Sequence, residues 1–232
     1  LYERPATCDG KPKTYCRSVF TINYETMPRP VTSKILKDIR TKGKEAMRRG
    51  LLDIASTVLE KEGPNALSMR HIAEKAGCST TVLYTLFGGK EGLADGLYLE
   101  GFRRLRAALE NVNEKTPLEQ LKRLNRTYRQ IALQHPTYYA VMFERPIPEY
   151  RPSDKSKQVA WDSLKPLIKT IQQCIRRGHF KKGNAEMMAM ELWTIAHGLV
   201  SVELAGYFPG KTSLADDMHE KALNDMIRAW SN

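Results

Sequence analysis

An all-α fold follows from three observations. No stretch of useful length alternates apolar and polar residues as a half-buried strand would. From residue 41 onward the apolar residues recur at helical spacing. Glycine, proline and capping residues cut that pattern into segments of helical length. About nine helices result, with no internal repeat.

The elements follow in order. Met47, Leu51, Ile54, Ala55, Val58 and Leu59 form an apolar stripe that ends at Gly63-Pro64. Ser68 is placed to N-cap a second helix with Met69, Ile72, Ala73 and Ala76 inward, stopped by Gly77. Ser79 is placed to cap a very short third helix that buries Val82, Leu83, Leu86 and Phe87 and ends at Gly88-Gly89. A longer helix then runs over 90–112. Thr116, Pro117 and Glu119 form a capping box with proline at the first helical position, opening a helix that ends near His135-Pro136. A short helix carries Tyr138, Tyr139, Met142 and Phe143, and residues 145–153, with three prolines, form a loop. The pattern over 154–177 predicts one helix kinked at Pro166. Asn184 caps a helix reaching Tyr207, Pro209-Gly210 breaks it, and Ser213 with Asp216 starts the last, which ends near Trp230.

Hydrophobic residues make up 41% of the 232, enough for a packed core. No apolar run reaches the roughly 18 residues of a membrane span, and no apolar signal core opens the chain. This predicts a cytoplasmic protein without membrane contact. Of the four cysteines, Cys8, Cys16, Cys78 and Cys174, none form a CxxC pair, so free thiols are expected and a zinc site from Cys8, Cys16 and a distant His has no support in spacing. Cys78 reads as a small apolar residue under the Gly77 turn. No HExxH, paired metal spacing or phosphate-cradling loop occurs, so no metal, cofactor or catalytic residue is assigned.

The net charge of +11 is concentrated: residues 1–50 hold 12 Lys and Arg against 5 Asp and Glu. Such an arm suits a polyanionic partner, with a solvated tail as the plain alternative. Residues 1–33 lack periodicity and read as disordered or loosely packed; a native start near Met27 is one expectation.

The stretch AGCSTTVLYTLFGGKEGL, residues 76–93, sits between two short helices and a long one with helix-turn-helix spacing. Ser79, Thr80 and Thr81 would place hydroxyls and a methyl at the N-terminal end of a recognition helix, where base edges and phosphates are reached. Tyr84 lies one turn beyond Thr80, Lys90 opens the next helix, and Ser68 and Arg70 begin the preceding one. These seven residues are the candidate DNA contacts. The order Ile72, Ala73, Ala76, Gly77, Ser79, Tyr84, Phe87, Lys90, Glu91 and Leu93 resembles the signature of the TetR family of transcriptional regulators. Leu86 departs from it, standing where many members have a polar residue, and Thr80 and Thr81 replace frequent small ones. Trp193, His197 and Gly198 resemble the W…HG motif of one C-terminal subfamily.

Composition sets apart a basic, partly disordered extension (1–40), and the resemblance implies a helix-turn-helix domain (41–92) and a ligand-sensing and dimerising domain (93–232). It implies a homodimer on a palindromic double-stranded DNA operator, released by a small-molecule effector and acting as a repressor. Small residues Gly198, Ser201, Ala205 and Gly206 favour close helix approach at a dimer interface. Tyr138, Met142, Phe143, Trp161, Trp193 and His197 are candidate ligand contacts, with ordinary core as the alternative. His197 needs a polar partner: a ligand, Glu191, Glu203 or a backbone carbonyl. The rival functions are a small helical enzyme and a protein-interaction adaptor.

Overall fold

The structure, a computed structural model, describes residues 33–208 and 212–231. Expectations for Cys8, Cys16, Met27 and the rest of 1–32 lie outside them. Ten α-helices and a short 3₁₀ turn carry the described chain: α1 Ser33–Glu62, the 3₁₀ turn Pro64–Ala66, α2 Met69–Ala76, α3 Thr80–Phe87, α4 Lys90–Glu110, α5 Pro117–Gln134, α6 Pro136–Phe143, α7 Asp154–Asp162, α8 Lys165–Arg176, α9 Ala185–Leu204 and α10 Thr212–Trp230. The fold is all-α, as the periodicity predicts. The described β pairing is one isolated bridge, Phe180 to Ser231.

Two compact units divide the chain between Lys42 and Gly43, inside α1. In the first, the described residues 33–42 are helical, and Ile35, Leu36 and Ile39 are exposed there.

In the second unit, the stripe of α1 begins at Leu51 rather than Met47, whose side chain is exposed. Leu51, Leu52, Ala55, Val58 and Leu59 pack with Ile72, Leu83, Phe87, Leu93 and Leu97 into one core that continues through Phe102, Leu105, Tyr128 and Tyr139. A second core gathers Leu121, Ile171, Cys174, Phe180, Leu192, Leu223, Ile227 and Trp230. Cys174 is buried, and burial raises its thiol pKa to about 11, so it is a packing residue.

The helix ends follow their caps. Ser68 Oγ accepts from His71 N at 3.2 Å, Thr116 Oγ1 from Glu119 N at 3.2 Å, and Asn184 Oδ1 from Glu186 and Met187. The single kinked helix expected over 154–177 is instead two. Without an N–H, Pro166 could not continue the hydrogen-bond ladder, and it stands in the first turn of α8. Ser163 turns the chain, its hydroxyl donating to the Ala160 carbonyl at 2.6 Å.

Candidate nucleic-acid interface and effector cavity

The helix-turn-helix is set by backbone geometry. Gly77 caps α2 at φ 63°, and Gly88 caps α3 at φ 77°, both in the left-handed region that glycine enters without a Cβ penalty. These two turns fix the eight residues of α3 between α2 and α4. Its inner face buries Leu83 and Phe87, with Val82 and Leu86 partly covered. Leu86, the position that breaks the family pattern, therefore packs. Arg48 lies over the Phe87 ring at 5.2 Å, joining α1 to the end of α3.

Ser68, Arg70, Ser79, Thr80, Thr81, Tyr84 and Lys90 are all exposed. Tyr84 keeps 54% of its surface open, high for a ring on a packed domain. Ser79 stands at the N-cap of α3 with extended backbone, but its hydroxyl makes no capping bond, contrary to the capping role expected of it. The start of α3 thus offers unsatisfied backbone N–H groups and the hydroxyls of Ser79, Thr80 and Thr81 to solvent. Lys90 opens α4, its Nζ 3.6 Å from Glu149.

Farther along, α4 joins two hydrogen-bonded clusters. Glu100 is only 3% exposed and is gripped by Arg103, at 2.6 and 2.7 Å, and by Arg104 at 2.9 Å. Burial alone would raise its carboxyl pKa; the two guanidiniums outweigh that and hold it below the ordinary range. Arg104 also binds Asp53 of α1 and stacks over Tyr138 of α6 at 4.6 Å, and Tyr138 donates to Asp53 at 2.9 Å. Nearer the helix-turn-helix, one oxygen of Asp95 accepts from both Tyr150 and Ser156, each at 2.7 Å.

A cavity of about 210 Å³ lies between α4, α5, α6, α7, α8 and α9. The sequence-predicted Met142, Phe143, Trp161 and Trp193 line it. Tyr138 does not: it faces Asp53 and Arg104. His197 is also absent from the wall; its Nδ1 lies 2.6 Å from the Tyr139 hydroxyl, a partner outside those anticipated, and its ring stacks on Trp193. Burial lowers its pKa, keeping it neutral. Tyr98, Phe102, Leu105 and Leu109 of α4, with Leu124 and Tyr128 of α5, complete much of the wall, and the sequence does not single them out. Their helical spacing carries the same signal as core packing.

Exposed apolar residues also gather on the last two helices. Ile195 and Val202 stand two turns apart on α9, with Gly198 open to space between them, and Leu214 and Met218 stand on α10. Among the described residues no group of His, Cys, Asp and Glu could hold a metal ion, and no helix is long and apolar enough to cross a membrane.

Comparison with known proteins converges on one family. Residues 51–97 match the model of bacterial regulatory proteins of the tetR family, and residues 121–228 match the tetracyclin repressor-like C-terminal domain. Together the two span more than half of the chain, and the second contains the Trp193 to Gly198 motif. The HTH-type transcriptional repressor KstR2 of Rhodococcus jostii (strain RHA1) is 42% identical over 62 residues, 27% of this chain and 30% of that protein, so the match spans under a third of the relative. Among solved structures, a protein of unknown function from Rhodococcus sp. RHA1 is 25% identical with a TM-score of 0.70, covering 80% of this chain and 95% of that one. The TetR family regulator PfmR from Thermus thermophilus shares the fold at 19% identity and TM-score 0.61, covering 77% and 97% of the two chains.

Proposed function

The chain belongs to the TetR family of bacterial transcriptional regulators, and from that membership we propose that it is a cytoplasmic, homodimeric repressor that leaves a palindromic operator when a small molecule fills its C-terminal cavity. The observation that carries this reading is the outer face of α3. A helix of eight residues, held by two left-handed glycines, presents Ser79, Thr80, Thr81 and Tyr84 together to solvent. Thr80 and Thr81 reach base edges in the major groove. Tyr84, Lys90, Ser68 and Arg70 hold phosphates on either side.

One short helix reads too few bases for specificity, so two copies are required. The apolar stripe of Ile195, Val202, Leu214 and Met218 supports pairing through α9 and α10 as a four-helix interface. The helix α4 supplies the coupling. Its first residue is the phosphate contact Lys90, and its middle forms the cavity wall. A ligand pressing on Tyr98 or Phe102 shifts α4 and with it the separation of the paired recognition helices. The repressor assignment accords with the KstR2 relative, an HTH-type transcriptional repressor.

Fluorescence anisotropy on duplexes from the DNA upstream of its own gene tests this. Sequence-selective binding that weakens steeply with salt is the expected result. Binding without sequence preference would leave only a basic adaptor.

A further inference from the structure

A second cavity, of about 290 Å³, adjoins the first. Tyr98, Met142, Phe143 and Lys157 appear in the walls of both. The two differ in chemistry. The first is lined almost wholly by rings and aliphatic chains, with Lys157 the only charged residue in its wall among the described residues. The second adds Arg145 to Lys157 and has no acidic residue in its wall among the described residues. From these residues we infer that the effector is an amphiphilic carboxylate: a ring-bearing apolar body in the first cavity, with its anionic end in the second between Arg145 and Lys157.

Three features of Arg145 and Lys157 support the assignment. Arg145 has no hydrogen bond or carboxylate partner among the described residues. It is also the described non-glycine residue with positive φ, 54°, a conformation that side chains with a Cβ adopt infrequently and that the chain holds in the wall of the second cavity. Lys157 is paired only with Asp154 at 3.0 Å, across a pair exposed on both sides. Exposed pairs of this kind contribute little, so a carboxylate arriving from the cavity displaces Asp154 at small cost. A planar guanidinium beside an ammonium accepts a carboxylate with matched geometry. The apolar chamber supplies the binding surface, with Phe102, Phe143, Trp161 and Trp193 presenting ring faces and edges to a flat body.

This inference rests on the reading of the cavity as an effector site, and its test separates the two. Naphthalenebutanoate and its neutral primary amide are titrated into the full-length protein, with quenching of Trp161 and Trp193 fluorescence as the signal. The acid is expected to bind at least about tenfold more tightly than the amide, the value of one charge-assisted contact. In the Arg145→Gln/Lys157→Gln double variant the acid loses that advantage, while the amide binds as before; Lys157→Gln alone shows part of the loss. Both residues lie at the surface, so folding is retained, and operator affinity of the same samples is measured without probe. Equal affinities for acid and amide overturn the inference, as does an equal loss of both in the double variant or no quenching by either. If operator binding is present in those cases, the regulator assignment stands without this ligand class. If acid-selective quenching is seen without operator binding, the carboxylate site stands and the regulator assignment fails.

Discussion

Replacing Glu100 with Gln is the most informative test of how α4 is held. Glu100 is 3% exposed and accepts three hydrogen bonds from Arg103 and Arg104. The amide keeps the shape but removes the charge, and its NH₂ must face a guanidinium. Breaking a fully buried pair costs roughly 3–5 kcal/mol. Here Arg103 is half exposed and can rehydrate, and Arg104 keeps Asp53, so a loss of about 2–3 kcal/mol is expected. Urea unfolding at neutral pH, at fixed protein concentration, measures it. The pH dependence has a definite sign. The folded carboxyl titrates below its ordinary value of 4.5, so between the two values the unfolded chain binds more protons than the folded one. The contribution of Glu100 is therefore fully present above 4.5 and is lost as pH falls through the folded value. The gap between the native protein and Glu100→Gln should close over that acid range. A variant within about 0.5 kcal/mol of the native protein, the usual scatter of a surface change, would refute the reasoning, as would a gap that ignores pH.

Other expectations follow from the same geometry. Gly77→Ala meets open space, so its cost is the left-handed backbone alone, about 1 kcal/mol by thermal melting. Lys90→Ala should weaken binding about equally on all sequences and lower the salt slope by about one, whereas Thr81→Ala should change base preference, both read by gel shift. Val202→Arg, on the exposed face of α9, should yield monomers in analytical ultracentrifugation and abolish operator binding. His219 is buried and its pKa is pushed below 6.5, first by burial and then by Arg129, so it folds in the neutral form. Stability should fall as pH drops below 6.5, and His219→Leu should flatten that slope in pH-dependent melts.

Much of the helix-turn-helix is legible in the sequence because it is local. Ser68, Gly77 and Gly88 act on neighbours within a turn, and the alternation of inward Leu83 and Phe87 with outward Thr80, Thr81 and Tyr84 is a property of eight consecutive residues. Pro166 reads as a kink because spacing on both sides stays helical; the missing N–H is sufficient to start a new helix. The cavity is legible only in part. Trp161 and Trp193 stand out by type, while Tyr98, Phe102 and Leu105 follow the same period as any buried face, and periodicity cannot distinguish a wall with an empty side from one that is filled. Tyr138 and His197 escape the sequence for another reason. Each finds a polar partner far away along the chain, Asp53 and Tyr139, and pairings of that range are set by packing, not by local pattern.

The central claim is that α3 reads DNA as one half of a two-fold pair. Footprinting on the DNA upstream of the protein's own gene tests it most directly. One protected region with symmetric half-sites about 10 base pairs apart, or a multiple of that, is expected, weakened with Lys90→Ala and altered in sequence preference with Thr81→Ala. Uniform protection without half-site symmetry, or a footprint unchanged by both substitutions, would contradict it.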